Sequence, residues 1–221
     1  WAKPLLISST LTQATIYVLR PMITYRALEL DANAAQIGLI ASVYALFPVV
    51  LALHFGKWVG RMGEAKFIIY GTLAMLVTSA ALMFANSITL LALAAGAAGL
   101  AHLACMVGGQ SMVALRAPRE SYDRYFGFYT FSASVGHMLG PIVAAIVAGS
   151  NGNLPKSTSN AFLLGVVLTI LALFPVIRWR NERPTVVAQQ SSEGTFKTAI
   201  NLVKRPGILA AIYISLAISS A

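Results

Sequence analysis

Charge is what this sequence has least of. Only 10% of its 221 residues are Asp, Glu, Lys or Arg, while 57% are apolar; a soluble domain carries about 25% charged residues. A chain this poor in charge cannot clothe a water-facing surface, which argues against a soluble domain and for lipid as the solvent. Cysteine is almost absent. The single Cys105 excludes an intrachain disulfide and a cysteine-based metal cluster, and inside an apolar run it reads as a small buried hydrophobe. No Ser-His-Asp set, metal-ligand spacing or Gly-rich phosphate loop occurs, so no enzyme chemistry, metal or cofactor is expected. The net charge of +9 does not imply a nucleic-acid partner, because the basic residues form no single patch with interleaved aromatics.

What the sequence does have is long apolar runs. A helix needs roughly 20 apolar residues to cross the hydrocarbon of a bilayer. Six segments qualify, at about Pro4–Tyr25, Ala35–Phe55, Phe67–Ala85, Thr89–Leu115, Tyr125–Ala148 and Ala161–Ile177, and a seventh run begins near Gly207. The runs are continuous rather than alternating, which favours helices over barrel strands. The first is too long for a signal-peptide core and no small-residue cleavage site follows it, so it reads as a retained span.

The basic residues orient these spans. With the amino terminus inside, thirteen of the sixteen Lys and Arg fall on the inner side: Lys3; Lys57, Arg61 and Lys66; Arg116, Arg119 and Arg124; Arg178, Arg180 and Arg183; Lys197, Lys204 and Arg205. Arg26 and Lys156 fall outside, and Arg20 lies within a span. The expected organisation is a six-helix transmembrane bundle over residues 1–177, a cytoplasmic linker over 178–206, and the start of a seventh helix over 207–221. In the linker, Phe196, Ala199, Ile200 and Val203 at helical spacing predict an amphipathic helix on the inner membrane face. Six spans can be two triples, and because three is odd the second would run inverted. Six helices alone leave a polar face without a partner, so the natural chain is expected to be about twice this length.

Two motifs have distinctive positions. Between the second and third spans lies Gly56-Lys57-Trp58-Val59-Gly60-Arg61-Met62-Gly63-Glu64-Ala65-Lys66. Its glycines suit a tight turn and its cations hold it on the inner side, so a plain basic turn would also account for it. In span five, Gly136-His137-Met138-Leu139-Gly140-Pro141 continues to Ala144 and Ala148, a small-residue ridge that lets another helix approach closely. Pro141 cannot donate to the carbonyl of His137, so the segment reads either as a bendable helix or as ordinary tight packing. The loop resembles the signature loop of the major facilitator superfamily, matching at Gly56, Arg61, Gly63 and Lys66, with Gly60 where that family has an Asp. The span-five segment resembles the Gly-x-x-x-Gly-Pro motif of the family's antiporters. A third family motif, an Arg before a Gly in span four, has no match in Ala94-Ala95-Gly96-Ala97-Ala98-Gly99.

The resemblance covers essentially the whole chain. It implies an all-α membrane protein, the amino-terminal half of a secondary transporter with inverted three-helix repeats, whose missing second half would complete the cavity. It implies a loop acting as a cytoplasmic latch, although the carboxylate that would complete the latch is missing at Gly60. The absent span-four Arg weakens the usual route of proton-driven antiport. With few membrane charges and an apolar, aromatic cavity, the expected activity is alternating-access export of a small drug-like or amphipathic solute, with protons as a candidate coupling ion. The expected location is the bacterial inner membrane. The alternative is a non-transporting receptor, scaffold or assembly factor on the same fold.

Candidate cavity residues follow from polarity inside the spans. Gln13, Tyr17, Arg20 and Thr24 fall on one helical stripe, and polar groups on one face of a lipid-embedded helix should face the bundle interior. Arg20, the only charge well inside a span, suits a substrate or coupling role, or else a structural pair or a side chain reaching the interface. His102 and Gln110 in span four, with Tyr129 and His137 in span five, complete the set. An imidazole could carry a proton or serve only as a packing hydrogen-bond partner.

Overall fold

The computed structural model describes residues 1–151, 154–155 and 157–182. The expected linker helix and the seventh apolar run lie outside the described residues. The described residues form six long helices: α1 (Ala2–Glu29), α2 (Ala34–Met62), α3 (Glu64–Met83), α4 (Ile88–Arg116), α5 (Tyr122–Ala148) and α6 (Thr158–Val176). Short 3-10 segments follow α4 at Arg119–Ser121 and α6 at Ile177–Asn181. A two-rung antiparallel ribbon, Ser150–Asn151 with Leu154–Pro155, joins α5 to α6.

Local chemistry sets the helix ends. Asn33 and Gln36 cap α2 reciprocally, each side chain accepting from the other's backbone N–H at 2.9 Å, a capping box that satisfies two orphan donors. Ser87 and Ser157 cap α4 and α6 in the simpler way, each accepting from a backbone N–H three residues on, as N-cap serines do. The expected loop at Gly56–Lys66 is mostly helix. Gly56 and Gly60 continue α2, and the reversal is confined to Gly63, whose φ of 86° is a left-handed conformation that a side chain disfavours. The described chain continues past Ile177, the expected end of the bundle, and Trp179 is buried beside Leu5 and Val176.

Polarity is inverted relative to a soluble protein. Phe174 is 82% exposed and Ile146 74%, while Ser8, Thr12, Thr15, Thr72 and Thr169 are buried. Large apolar side chains facing outward on every side fit a lipid surround. Five of the helices, α2 to α6, are long and apolar enough to cross a membrane. The sixth, α1, is long enough at 28 residues but too polar to qualify.

The helix pairings are symmetric. α1 packs chiefly on α5 and α6, α4 packs chiefly on α2 and α3, and α3 meets α6. Exchanging the triple α1–α3 with α4–α6 maps this set onto itself, the pairing expected of two three-helix repeats. Close approach comes from small residues, since apolar surfaces gain little from meeting one another in lipid. A Cβ at Gly136 would strike the Thr10 carbonyl of α1, and one at Gly140 would lie 2.7 Å from the Ala14 carbonyl. Thr10 Oγ1 donates to the Ser132 carbonyl at 3.0 Å, tying the same crossing. The helical assignment of α5 runs unbroken through Pro141.

Candidate functional site

The α1–α5 contact determines the geometry inside the bundle. With Gly136 pressed against α1, the neighbouring His137 reaches across to Gln13. Gln13 is only 4% exposed, and its Oε1 lies 3.1 Å from His137 Nε2 and 3.0 Å from His102 Nε2. One amide oxygen thus joins α1, α4 and α5. With that oxygen accepting, each imidazole carries its proton on Nε2, a tautomer assigned from the hydrogen-bond network. His102 Nδ1 is then free to accept from the Tyr44 hydroxyl of α2 at 3.3 Å. The Tyr17 ring stacks on His137 with centroids 4.1 Å apart, and the Arg20 guanidinium lies 5.2 Å from the centre of the Tyr44 ring.

A cavity of about 360 Å³ is lined by Gln13, Tyr17, Arg20, His102, Gln110, Tyr129 and His137, with Met106, Phe126 and Ala133 as apolar lining. Thr24 lies one step along. It lines a second cavity of about 280 Å³ with Arg20, Tyr44, Ile37 and Ile40, so Arg20 stands on the wall of both. Both volumes are near the lower end of the range for small-molecule sites, about 300–1,000 Å³. Sequence reading missed Tyr44, because its stretch of α2 is otherwise apolar and gives no stripe; only packing against α4 and α1 puts the phenol beside His102 and Arg20.

A second polar cluster lies at the end of the bundle that carries Trp1. Glu64, at the start of α3, is 1% exposed and accepts from Arg116 at the end of α4, with Nη2 to Oε1 at 2.8 Å. The same Arg116 donates to Glu182, beyond α6, at 2.6 Å. Glu64 was not singled out from sequence, where it is one letter of the loop motif. Of the motif residues themselves, Gly56, Gly60 and Arg61 are exposed, Lys66 is half-buried and Gly63 is buried. Among the described residues neither Arg61 nor Lys66 forms an ion pair. The opposite end is closed by Arg26, which sits in the last turn of α1 rather than in a loop: it pairs with Glu29 at 2.8 Å and donates to Ser159 at 2.7 Å.

Comparison with known proteins agrees with this architecture. The profile of the Major Facilitator Superfamily matches residues 5–221. Multidrug resistance protein 1 of Bacillus subtilis (strain 168) is 23% identical over 146 residues, which is 66% of this chain and 38% of that protein. Multidrug resistance protein MdtG of Salmonella arizonae and of Salmonella paratyphi B is 24% identical over 152 residues, 67% of this chain and 38% of each protein. The matched stretch therefore spans well under half the length of these curated relatives. A match running almost from end to end, over a helical bundle with its apolar surface turned outward, makes the chain a multi-pass membrane protein that belongs to the Major Facilitator Superfamily.

Proposed function

We propose that this chain forms the amino-terminal half of a secondary transporter that exports a small amphipathic organic solute by alternating access. The observation that carries this reading is a polar cavity built on α1, α4 and α5 inside a shell that is apolar toward lipid. Polar and ionisable groups inside a membrane are costly and mark solute pathways. In such transporters the site lies near the bilayer midplane, and the two halves rock about it. Superfamily membership makes the protein a carrier rather than an enzyme, and the names of the relatives point to drug-like solutes.

Within this reading α1 is also a span, the amino terminus is cytoplasmic in keeping with the distribution of basic residues, and the membrane is the bacterial inner membrane. The cluster Glu64–Arg116–Glu182 then lies at the cytoplasmic end, where it ties α3, α4 and the segment after α6. It supplies a buried carboxylate four residues beyond Gly60, across the reversal at Gly63, in a chain where the family's Asp is missing. The imidazoles of His102 and His137 are the candidate proton carriers. The linker over 178–206 connects this bundle to a second half that completes the cavity.

The test is coupled flux of a panel of amphipathic solutes in inverted membrane vesicles containing the full-length protein. Solute accumulation that collapses with the ion gradient and fails in Gln13→Leu supports the reading. Absence of flux across the panel, with Gln13→Leu as well folded as the wild type, supports a scaffold on the same fold instead.

A further inference from the structure

Resting on the transporter reading, we infer that the solute is an organic anion with a flat apolar body, an aromatic carboxylate or a close analogue, whose acid group pairs with Arg20. The first observation is the charge balance of the cavity walls. Arg20 lines both cavities and His102 and His137 line the larger, while among the described residues no Asp or Glu lines either. All the acidic residues of the described chain lie at helix ends or beyond them: Glu29 and Asp31 at one end of the bundle, Glu64, Glu120, Asp123 and Glu182 at the other.

The second observation is that Arg20 is not used structurally. Among the described residues it forms no ion pair and donates no hydrogen bond; its one contact of note is the face of the Tyr44 ring. Guanidinium stacking leaves the N–H edges free, and these present the fork geometry that matches a carboxylate. Arg20 is exposed and lines both cavities, so an anion there would pair with its charge and a cation would be repelled.

The third observation is shape. The stacked pair Tyr17 and His137 forms a flat wall of the larger cavity, and Phe126 and Met106 line it with apolar surface. A planar ring can lie against that wall while its acid group reaches Arg20.

The experiment is a ligand series on the full-length protein in lipid nanodiscs: 1-naphthoate, neutral 1-naphthamide and cationic 1-naphthylmethylamine, each measured by equilibrium binding. We expect the wild type to prefer naphthoate. We expect Arg20→Gln to weaken naphthoate by about tenfold or more, as loss of a charge-assisted hydrogen-bonded pair does, and to leave the amide little changed. Arg20→Lys should retain part of the preference, since an ammonium keeps the charge but not the fork.

Equal or tighter binding of the amine by the wild type overturns the inference whether or not any variant folds, and so does naphthoate binding that Arg20→Gln leaves unchanged. Failure of all three compounds to bind overturns it too. None of these results touches the transporter reading, which stands or falls on flux of the wider panel.

Discussion

Gly136→Ala adds one methyl group where α5 meets α1, and its consequences can be worked from the packing. The new Cβ would lie 2.8 Å from Gln13 Cβ and 2.9 Å from Ala14 N, and closer still to the Thr10 carbonyl. Ordinary contact begins at 3.4 Å, so in a close-packed interior the two helices must part by about 0.6 Å or more. His137 is the next residue, and its 3.1 Å bond to Gln13 would stretch to about 3.7 Å, beyond hydrogen-bond range. Overpacking of this kind costs about 1–3 kcal/mol, and losing a buried hydrogen bond adds about 1 kcal/mol. The expected result is a fall in melting temperature of about 5–15 °C in detergent, together with weakened solute binding.

Gly127→Ala on the same helix is the internal control. A Cβ there meets nothing within 4 Å, and replacing a helical Gly by Ala gains up to about 1 kcal/mol. Its melting temperature should hold or rise, with solute binding unchanged. The reasoning fails if Gly136→Ala melts and binds like the wild type, or if the two variants fall together.

Three further outcomes follow from the same geometry. Arg116→Gln removes one cation from Glu64, a 1% exposed acid, and should cost about 1–3 kcal/mol, whereas the partly exposed Glu182→Gln should cost under about 1 kcal/mol; thermal melts of both check the pair. Gln13→Leu leaves two imidazole donors without their acceptor, and should cost about 1–3 kcal/mol in stability and abolish flux; retained flux would remove Gln13 from the site. Buried Cys105 should stay silent to a membrane-impermeant maleimide in intact cells, so single cysteines at Asn86 and Glu120 report sidedness: labelling from outside is expected at Asn86 only, and labelling at Glu120 would reverse the topology.

All six long helices were legible in the sequence as runs of about 20 largely apolar residues, because lipid imposes that one simple demand, with α1 the most polar of them. The helix ends were less legible. The helices run beyond the apolar runs into water, so α2 continues through Gly56 and Gly60 to Met62 where a loop was expected. Hydropathy reports the membrane boundary, not the end of the hydrogen-bond ladder. The candidate site was legible where polarity is periodic along one helix, as for Gln13, Tyr17 and Arg20, which meet at one cavity. It was not legible where a residue is polar only by its packing, as for Tyr44, or where a charged residue near a helix end is buried by its neighbours, as for Glu64.

The helix that fails the apolar criterion is the one on which the cavity is built, and the two facts have one cause. A helix that faces lipid on most sides, as α2 does, can be uniformly apolar, and that uniformity identifies it from composition. α1 is different: it is packed on α5 and α6, and Ser8, Thr12 and Gln13 are buried against the others while Tyr17 is half-buried. These are groups that would be costly on a lipid-facing surface. Its low hydropathy follows from central placement, and central placement is what lets one amide oxygen reach histidines on two other helices. In a bundle of this kind the least apolar helix is where a solute site should be sought first. Exchanging Gln13 for Leu would make α1 more like a lipid-facing span while removing the junction on which the site depends.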